Sequence, residues 1–161
     1  MFNVKWVADT FPIPVPLQQK EQMIADNAES PVRQVLEPHL LIGVPSIDRE
    51  HGVLVSLLNR LIDRPEATPE SEAFADLLSR LGGEIAAHFR SEERFFTSSG
   101  MPVHLAEQHI QAHSEILEQY TELNLEFMKG RAYDRAEVLT LIRNWIIEHL
   151  MLHDVRIRDY L

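Results

Sequence analysis

Apolar positions recur every three or four residues along four stretches of the chain, which is the period of an amphipathic helix and not of a strand. In the first, Ile47, Val53, Leu54, Leu57, Leu58 and Leu61 form one stripe and predict a helix from about Ser46 to Asp63. Ser46 is read as its N-cap, and Pro65 ends it. The second stripe holds Phe74, Leu77, Leu78, Leu81, Ile85, Phe89 and Phe96, for a helix from about Ser71 to Thr97. Gly82 and Gly83 weaken its middle by roughly 1 kcal/mol each relative to alanine. The loop SSGMP leads to a third helix, about Val103 to Lys129, with Gly130 as its C-cap. The fourth, about Asp134 to Tyr160, carries Val138, Leu141, Ile142, Trp145, Ile146 and Leu150. Short connections between long helices make neighbours antiparallel. The expected fold is therefore all-α, an antiparallel up-down-up-down four-helix bundle over residues 46–161.

Residues 1–45 lack this pattern. Pro12, Pro14 and Pro16 alternate in PIPVP, which predicts an extended, polyproline-like run. Residues 17–29 fit a short helix ended before Pro31, and Phe2, Trp6 and Phe11 are large apolar groups at this end. The expectation is an N-terminal extended arm packed across the bundle. The alternative is a lid, or a segment that docks a protein partner.

Composition narrows the function classes. The 161 residues suffice for one domain with its own core. The formal net charge of −10 disfavours nucleic acid and anionic membranes as partners. The absence of cysteine excludes disulfides, thiolate-held iron–sulfur clusters, thiolate-ligated zinc and cysteine nucleophiles. No stretch approaches a membrane span, and MFNVKWVADTF has no continuous apolar run of the signal-peptide kind. The expected location is the cytoplasm.

Against this background the polar residues on the apolar stripes stand out. They are His51 on the first helix, His88 and Glu92 on the second, His109 and His113 on the third, and His149 on the fourth. Two of these sets are i,i+4 pairs, whose side chains leave one helix face a turn apart. Burying so many titratable groups without partners would cost several kcal/mol each, roughly, and metal coordination supplies partners. Imidazole and carboxylate without thiol suit iron, manganese or zinc. With Asp154 the set is five histidines and two carboxylates, too many for one ion and suited to two ions that share carboxylates. The fourth helix leaves a choice open. On an ideal helix His149 and Asp154 stand roughly 140° apart, so spacing alone favours His153 over Asp154.

The runs IDREH, HFRSEE, HIQAH and WIIEHLMLHD, in that order from Gly43 to Asp154, resemble the hemerythrin family, and its bacterial single-domain members in particular. The resemblance implies that His109, His113 and His149 bind one iron and that His51 and His88 bind the other. Glu92 and Asp154 would bridge two non-heme iron ions (Fe2+/Fe3+), with an oxo or hydroxo group as a third bridge. It favours Asp154 as the ligand and leaves His153 outside the ligand set, in an outer or surface position. The implied function is reversible binding of dioxygen, for carriage, storage or sensing, without enzymatic turnover. The chain departs from the pattern at Glu50, where glutamine is common, and in a slightly longer segment between Glu92 and His109. The resemblance does not cover the N-terminal segment.

The remaining candidates follow. Asp48 is placed for an outer role behind a ligand histidine or as a helix-start carboxylate, while Glu93, Glu115 and Glu118 read as solvated. His39 and His104 read as structural or solvated. Ile47, Leu54, Phe89, Ile110, Ile146 and Leu150 are the expected lining of a dry pocket. The alternative function is a diiron enzyme acting on peroxide, nitric oxide or ferrous iron. The high ratio of imidazole to carboxylate argues against high-valent oxidation chemistry. A third reading is a sensor whose output passes through the N-terminal arm.

Overall fold

A computed structural model describes residues 32–161. The polyproline run, the helix expected at 17–29 and the apolar groups Phe2, Trp6 and Phe11 lie outside the described residues. What is described is helical, with no strand among these residues. Helix α1 runs Pro45–Ile62, α2 Glu72–Ser99 and α3 Val103–Met128. The fourth segment is composite. It comprises α4 (Arg135–Arg143), a wide π-helical turn (Asn144–Glu148), α5 (His149–Leu152) and a 3₁₀ helix (Asp154–Tyr160).

Local chemistry sets most of these ends. The Ser71 hydroxyl accepts from the Phe74 amide and starts α2. The Asp134 carboxylate accepts from the Ala136 and Glu137 amides and starts α4. Gly100, at φ 75°, takes the left-handed conformation that closes α2 and lets the chain reverse. The start of α1 differs from expectation. Val44 is the flanking residue, Pro45 fills the first turn, and Ser46 caps nothing. Asp48 instead accepts from the amides of Ile42 (2.7 Å) and Gly43 (3.0 Å), fixing the approach to the helix. Upstream, Asn59 pairs through its amide with the backbone N–H and C=O of Gln34, at 2.8 Å each. Residues 34–42 therefore run back along α1 from its end to its start. Arg135 ties α4 to the end of α1, donating to the carbonyls of Leu61 (2.6 Å), Arg64 (3.1 Å) and Ala67 (3.2 Å).

The large core contains Leu54, Leu57, Leu58 and Leu61 from α1, Phe74 to Phe89 from α2, Ile116 and Leu123 from α3, and Val138 to Ile147 from the fourth segment. A smaller cluster, Ile42, Ile47, Phe96, Met101 and Ile157, closes the other end. On α1, α2 and the fourth segment, the buried polar residues between these clusters in sequence are His51, Glu92, and His149 with Asp154. A polar layer thus lies between two apolar ones.

The two glycines within α2 are not equivalent. A Cβ on Gly82 would fall 2.1 Å from Cζ of Tyr120, whose hydroxyl donates to the Leu78 carbonyl at 3.3 Å. Gly83 faces open space. Gly82→Ala is expected to lower stability by about 1–3 kcal/mol through overpacking, and Gly83→Ala to raise it by up to about 1 kcal/mol. Urea denaturation of the two variants side by side checks this, and equal effects would refute the packing role of Gly82.

Candidate metal centre

His51 lies near the start of α1, His88 and Glu92 in the second half of α2, His109 and His113 near the start of α3, and His149 at the far end of the fourth segment. These positions meet only if successive helices alternate in direction, and they do meet. These six side chains and that of Asp154, at the start of the 3₁₀ helix, are all buried. Ligand-competent atoms of Glu92, His109, His113 and His149 lie within 4.8 Å of one another, as do those of His51, His88, Glu92 and Asp154.

Each imidazole turns Nε2 inward, and the two carboxylates lie between the groups. Asp154 Oδ1 is 3.0 Å from Nε2 of both His109 and His149, while Oδ2 is 3.1 Å from Nε2 of His51. Glu92 Oε2 is 3.1 Å from Nε2 of His113 and 3.4 Å from that of His109. Glu92 Oε1 is 4.0 Å from Nε2 of His51. Phe89 stacks on the His113 ring at 3.8 Å, and His51 and His88 meet edge to face at 4.6 Å.

An irregular backbone brings Asp154, and not His153, into the cluster. The π turn widens the helix just before His149. His153 then leaves regular helical geometry (φ −118°, ψ −60°), and the 3₁₀ helix that follows turns Asp154 inward. The angular argument from an ideal helix fails for that reason. His153 lies half-buried and stacked on His149 at 4.9 Å. His39 and His104 are exposed.

One open choice closes, one expectation changes and one role is new. Asp48 does not stand behind a ligand histidine; it holds the backbone of Ile42 and Gly43. Glu93 is not simply solvated, because its Oε1 lies 3.0 Å from Nδ1 of His113. Glu50 takes the corresponding place behind His88, at 3.1 Å from Nδ1. Neither role follows from helix periodicity, which puts both residues on the outer side. The one available signal was that each carboxylate directly adjoins a candidate ligand in sequence. Glu115 and Glu118 are exposed, as expected.

The electrostatics fit a place for cations. Burial works against a proton on His88 and on His109, but Asp154 and Glu92 outweigh it and raise both to a pKa of about 9. His149 is pushed down, by burial first and then by its imidazole neighbours. Burial and mutual repulsion oppose charge on Glu92, and burial opposes it on Asp154. The surrounding imidazoles prevail, lowering both, Asp154 well below the usual carboxylate range. Two polar positions facing the cluster have no hydrogen bond: Nε2 of His51, despite its distance from Asp154, and Oε1 of Glu92. Nε2 atoms of His109 and His149 lie 3.1 Å apart, a contact that two inward lone pairs tolerate only around a proton or a metal cation. Buried orphaned donors and acceptors are costly in a native core, and a bound metal would satisfy them.

These shifts give a pH dependence for the metal-free protein. His88 and His109 have folded values raised above their ordinary 6.5, so their stabilisation is full below 6.5 and lost as pH rises through about 9. Glu92 and Asp154 have depressed values, so theirs is present above their ordinary 4.5 and 3.8 and lost on acidification. His149 and His153 have depressed values and lose stability on acidification below their ordinary 6.5, so thermal stability of the apo-protein is expected to peak near pH 6.5. Metal replaces the imidazole protons, so loaded protein should not show the decline toward pH 9. Denaturation scans of both forms test this, and an apo-protein equally stable at pH 6 and pH 9 would contradict it.

A small, partly enclosed cavity of about 10 Å³ abuts His51, His88 and Asp154 and is walled by Leu54, Ile85, Phe89, Trp145 and Ile146. It also reaches His149. Of the expected lining, Leu54, Phe89 and Ile146 are present, whereas Ile47, Ile110 and Leu150 are not, and Ile110 lies partly exposed on α3. A separate open cleft of about 490 Å³ between α3 and the fourth segment, lined by Glu115, Gln119, Asn144 and Glu148 among others, reaches His149 and His153.

Four packed helices with a buried imidazole–carboxylate layer define a non-thiolate metalloprotein of the helical-bundle class. The chain belongs to the hemerythrin family: the model described as hemerythrin HHE cation binding domain matches residues 43–157. It is similar to a bacteriohemerythrin of Stenotrophomonas maltophilia (strain R551-3), with 24% identity over 125 residues, covering 78% of this chain and 79% of that protein. No solved structure matches it significantly. No helix among the described residues is long and apolar enough to cross a membrane.

Proposed function

We propose that this chain holds two non-heme iron ions, joined by an oxo or hydroxo bridge, and binds dioxygen reversibly. The observation that carries this reading is the asymmetry of the cluster. His109, His113 and His149 gather on one side, and His51 and His88 on the other. The small cavity is lined by both imidazoles of the two-histidine side and, of the other three, by His149 alone. Glu92 and Asp154 are the candidate bridging ligands, since each has oxygens directed to both groups. Two ferrous ions held by these five histidines and two carboxylates would supply reversible two-electron chemistry toward dioxygen. The chain's own contribution would be to offer one half fewer imidazoles, to wall the adjoining space with Leu54, Ile85, Phe89, Trp145 and Ile146, and to limit water there. A cavity of this volume holds about one water-sized group, which favours a diatomic ligand over a larger substrate. The family relationship and the bacteriohemerythrin match support the same reading.

The test is anaerobic reconstitution with ferrous iron, counting metal per chain and following the visible spectrum as air is admitted and removed. Two irons and a charge-transfer band that disappears on deoxygenation support the proposal. Immediate irreversible oxidation would shift the role to an enzyme or to iron handling, and one metal or none would end the dinuclear reading.

A further inference from the structure

Two of the five inward-facing imidazoles are also held from behind by carboxylates, one in each half of the cluster. His88, in the two-histidine half, has Nδ1 3.1 Å from Glu50 Oε2. His113, in the three-histidine half, has Nδ1 3.0 Å from Glu93 Oε1. Both carboxylates flank an inner residue, from opposite sides in sequence. Glu50 directly precedes His51 on α1 and reaches His88 on α2, and Glu93 directly follows Glu92 on α2 and reaches His113 on α3. Each outer carboxylate thus adjoins an inner ligand in sequence and supports a histidine of the next helix.

The two supports differ in how firmly they are held. The other oxygen of Glu50 accepts from the Ser91 hydroxyl at 3.0 Å, and Arg94 donates to that hydroxyl oxygen at 3.2 Å. Glu93 has no such second bond among the described residues. Both carboxylates are about one-third exposed, so their charge stays solvated while their inner oxygen meets a buried ring.

We propose that Glu50 and Glu93 are positioning residues, each dedicated to one half of the metal centre: Glu50 sets the metal affinity of the half built on His51 and His88, and Glu93 that of the half built on His109, His113 and His149. The proposal rests on the dinuclear reading above. A carboxylate that accepts from Nδ1–H keeps the proton on that nitrogen, so the Nε2 lone pair faces inward, and it makes the ring a stronger donor to a cation. The added negative charge also offsets part of the charge of a bound ion. Glu50, fixed at both oxygens, holds its ring in one orientation. Glu93, fixed at one, acts chiefly through its charge.

The experiment is a zinc titration of full-length metal-free protein against a chromophoric chelator, with histidine-side-chain nitrogen NMR of the same samples. Shifts of the His51 and His149 rings report which half is filled. Wild type is expected to take two zinc ions and to show slowly exchanging Nδ1 protons on His88 and His113. Glu50→Gln keeps an acceptor oxygen but removes the charge, and should weaken only the His51/His88 half, by about ten- to hundredfold. Glu93→Gln should weaken only the other half. Ser91→Ala, which loosens Glu50 without touching the cluster, should reproduce the Glu50→Gln effect in smaller degree. Variants that titrate like wild type, or that both weaken the same half, would overturn the proposal while leaving the dinuclear reading intact. A wild type that takes fewer than two ions would refute that reading, and the proposal with it.

Discussion

Asp154→Ala is expected to reduce metal content from two ions per chain to one or none, the largest functional loss of any single substitution in the cluster. The side chain is buried, and its two oxygens serve different groups, Oδ1 facing His109 and His149 and Oδ2 facing His51. No neighbouring carboxylate can take over that span, because Glu92 approaches from α2 and its own oxygens already face both groups. The helices should persist, since Asp154 belongs to neither apolar cluster. Metal analysis and circular dichroism on the same preparation separate loss of the site from loss of the fold. A second readout follows from the electrostatics. Asp154 leads the charged partners that raise His88 and His109 to about 9. Without it the two rings lose their main reason to stay protonated in the apo-protein, and the decline in stability between pH 6.5 and 9 should flatten. Asp159→Ala, at an exposed position, should change neither readout. An Asp154→Ala protein that still takes two ions would remove this residue from the centre.

Much of this site was legible because two kinds of regularity coincide. The 3.6-residue period placed His51, Glu92, His109 and His113 on buried faces, and these faces are where the structure puts them. Helix ends followed from Ser71, Asp134 and the glycine turns, to within about two residues. Legibility failed wherever the chain departs from regular geometry or where two elements meet. No period predicts that Asp154 faces inward, since that depends on a π turn and a change of helix type. Gly82 reads as a weak point in a helix until the ring of Tyr120 is seen against it. The strap along α1 rests on Asn59 and Gln34, two amides with no distinguishing sequence context. Glu93 reads as solvated and Glu50 only as a departure from the family pattern, because periodicity puts both on the outer side of their helices. Their inner contact appears only when the next helix is in place.

Leu54→Ala is expected to have the second large effect, on stability and on the cavity together. Leu54 is 4% exposed, belongs to the main core and forms part of the wall beside His51 and His88. Truncating a buried leucine costs about 2–5 kcal/mol, and the loss grows with the void left behind. Here the void would join an existing space of about 10 Å³ that already abuts polar groups, so water can enter it. An enlarged, wetter site should hold dioxygen less well and should let the iron-loaded protein oxidise faster in air, because apolar walls are what keep water from the unfilled position. Leu123→Ala separates the two effects. Leu123 is 1% exposed and belongs to the same core but does not line the cavity. Both variants should lose comparable stability in urea, while Leu54→Ala alone should shorten the lifetime of the oxygenated spectrum. If Leu123→Ala shortens it equally, general loosening of the bundle governs oxidation and the wall beside His51 has no special role. If neither variant shortens it, water access to this cavity does not limit the chemistry.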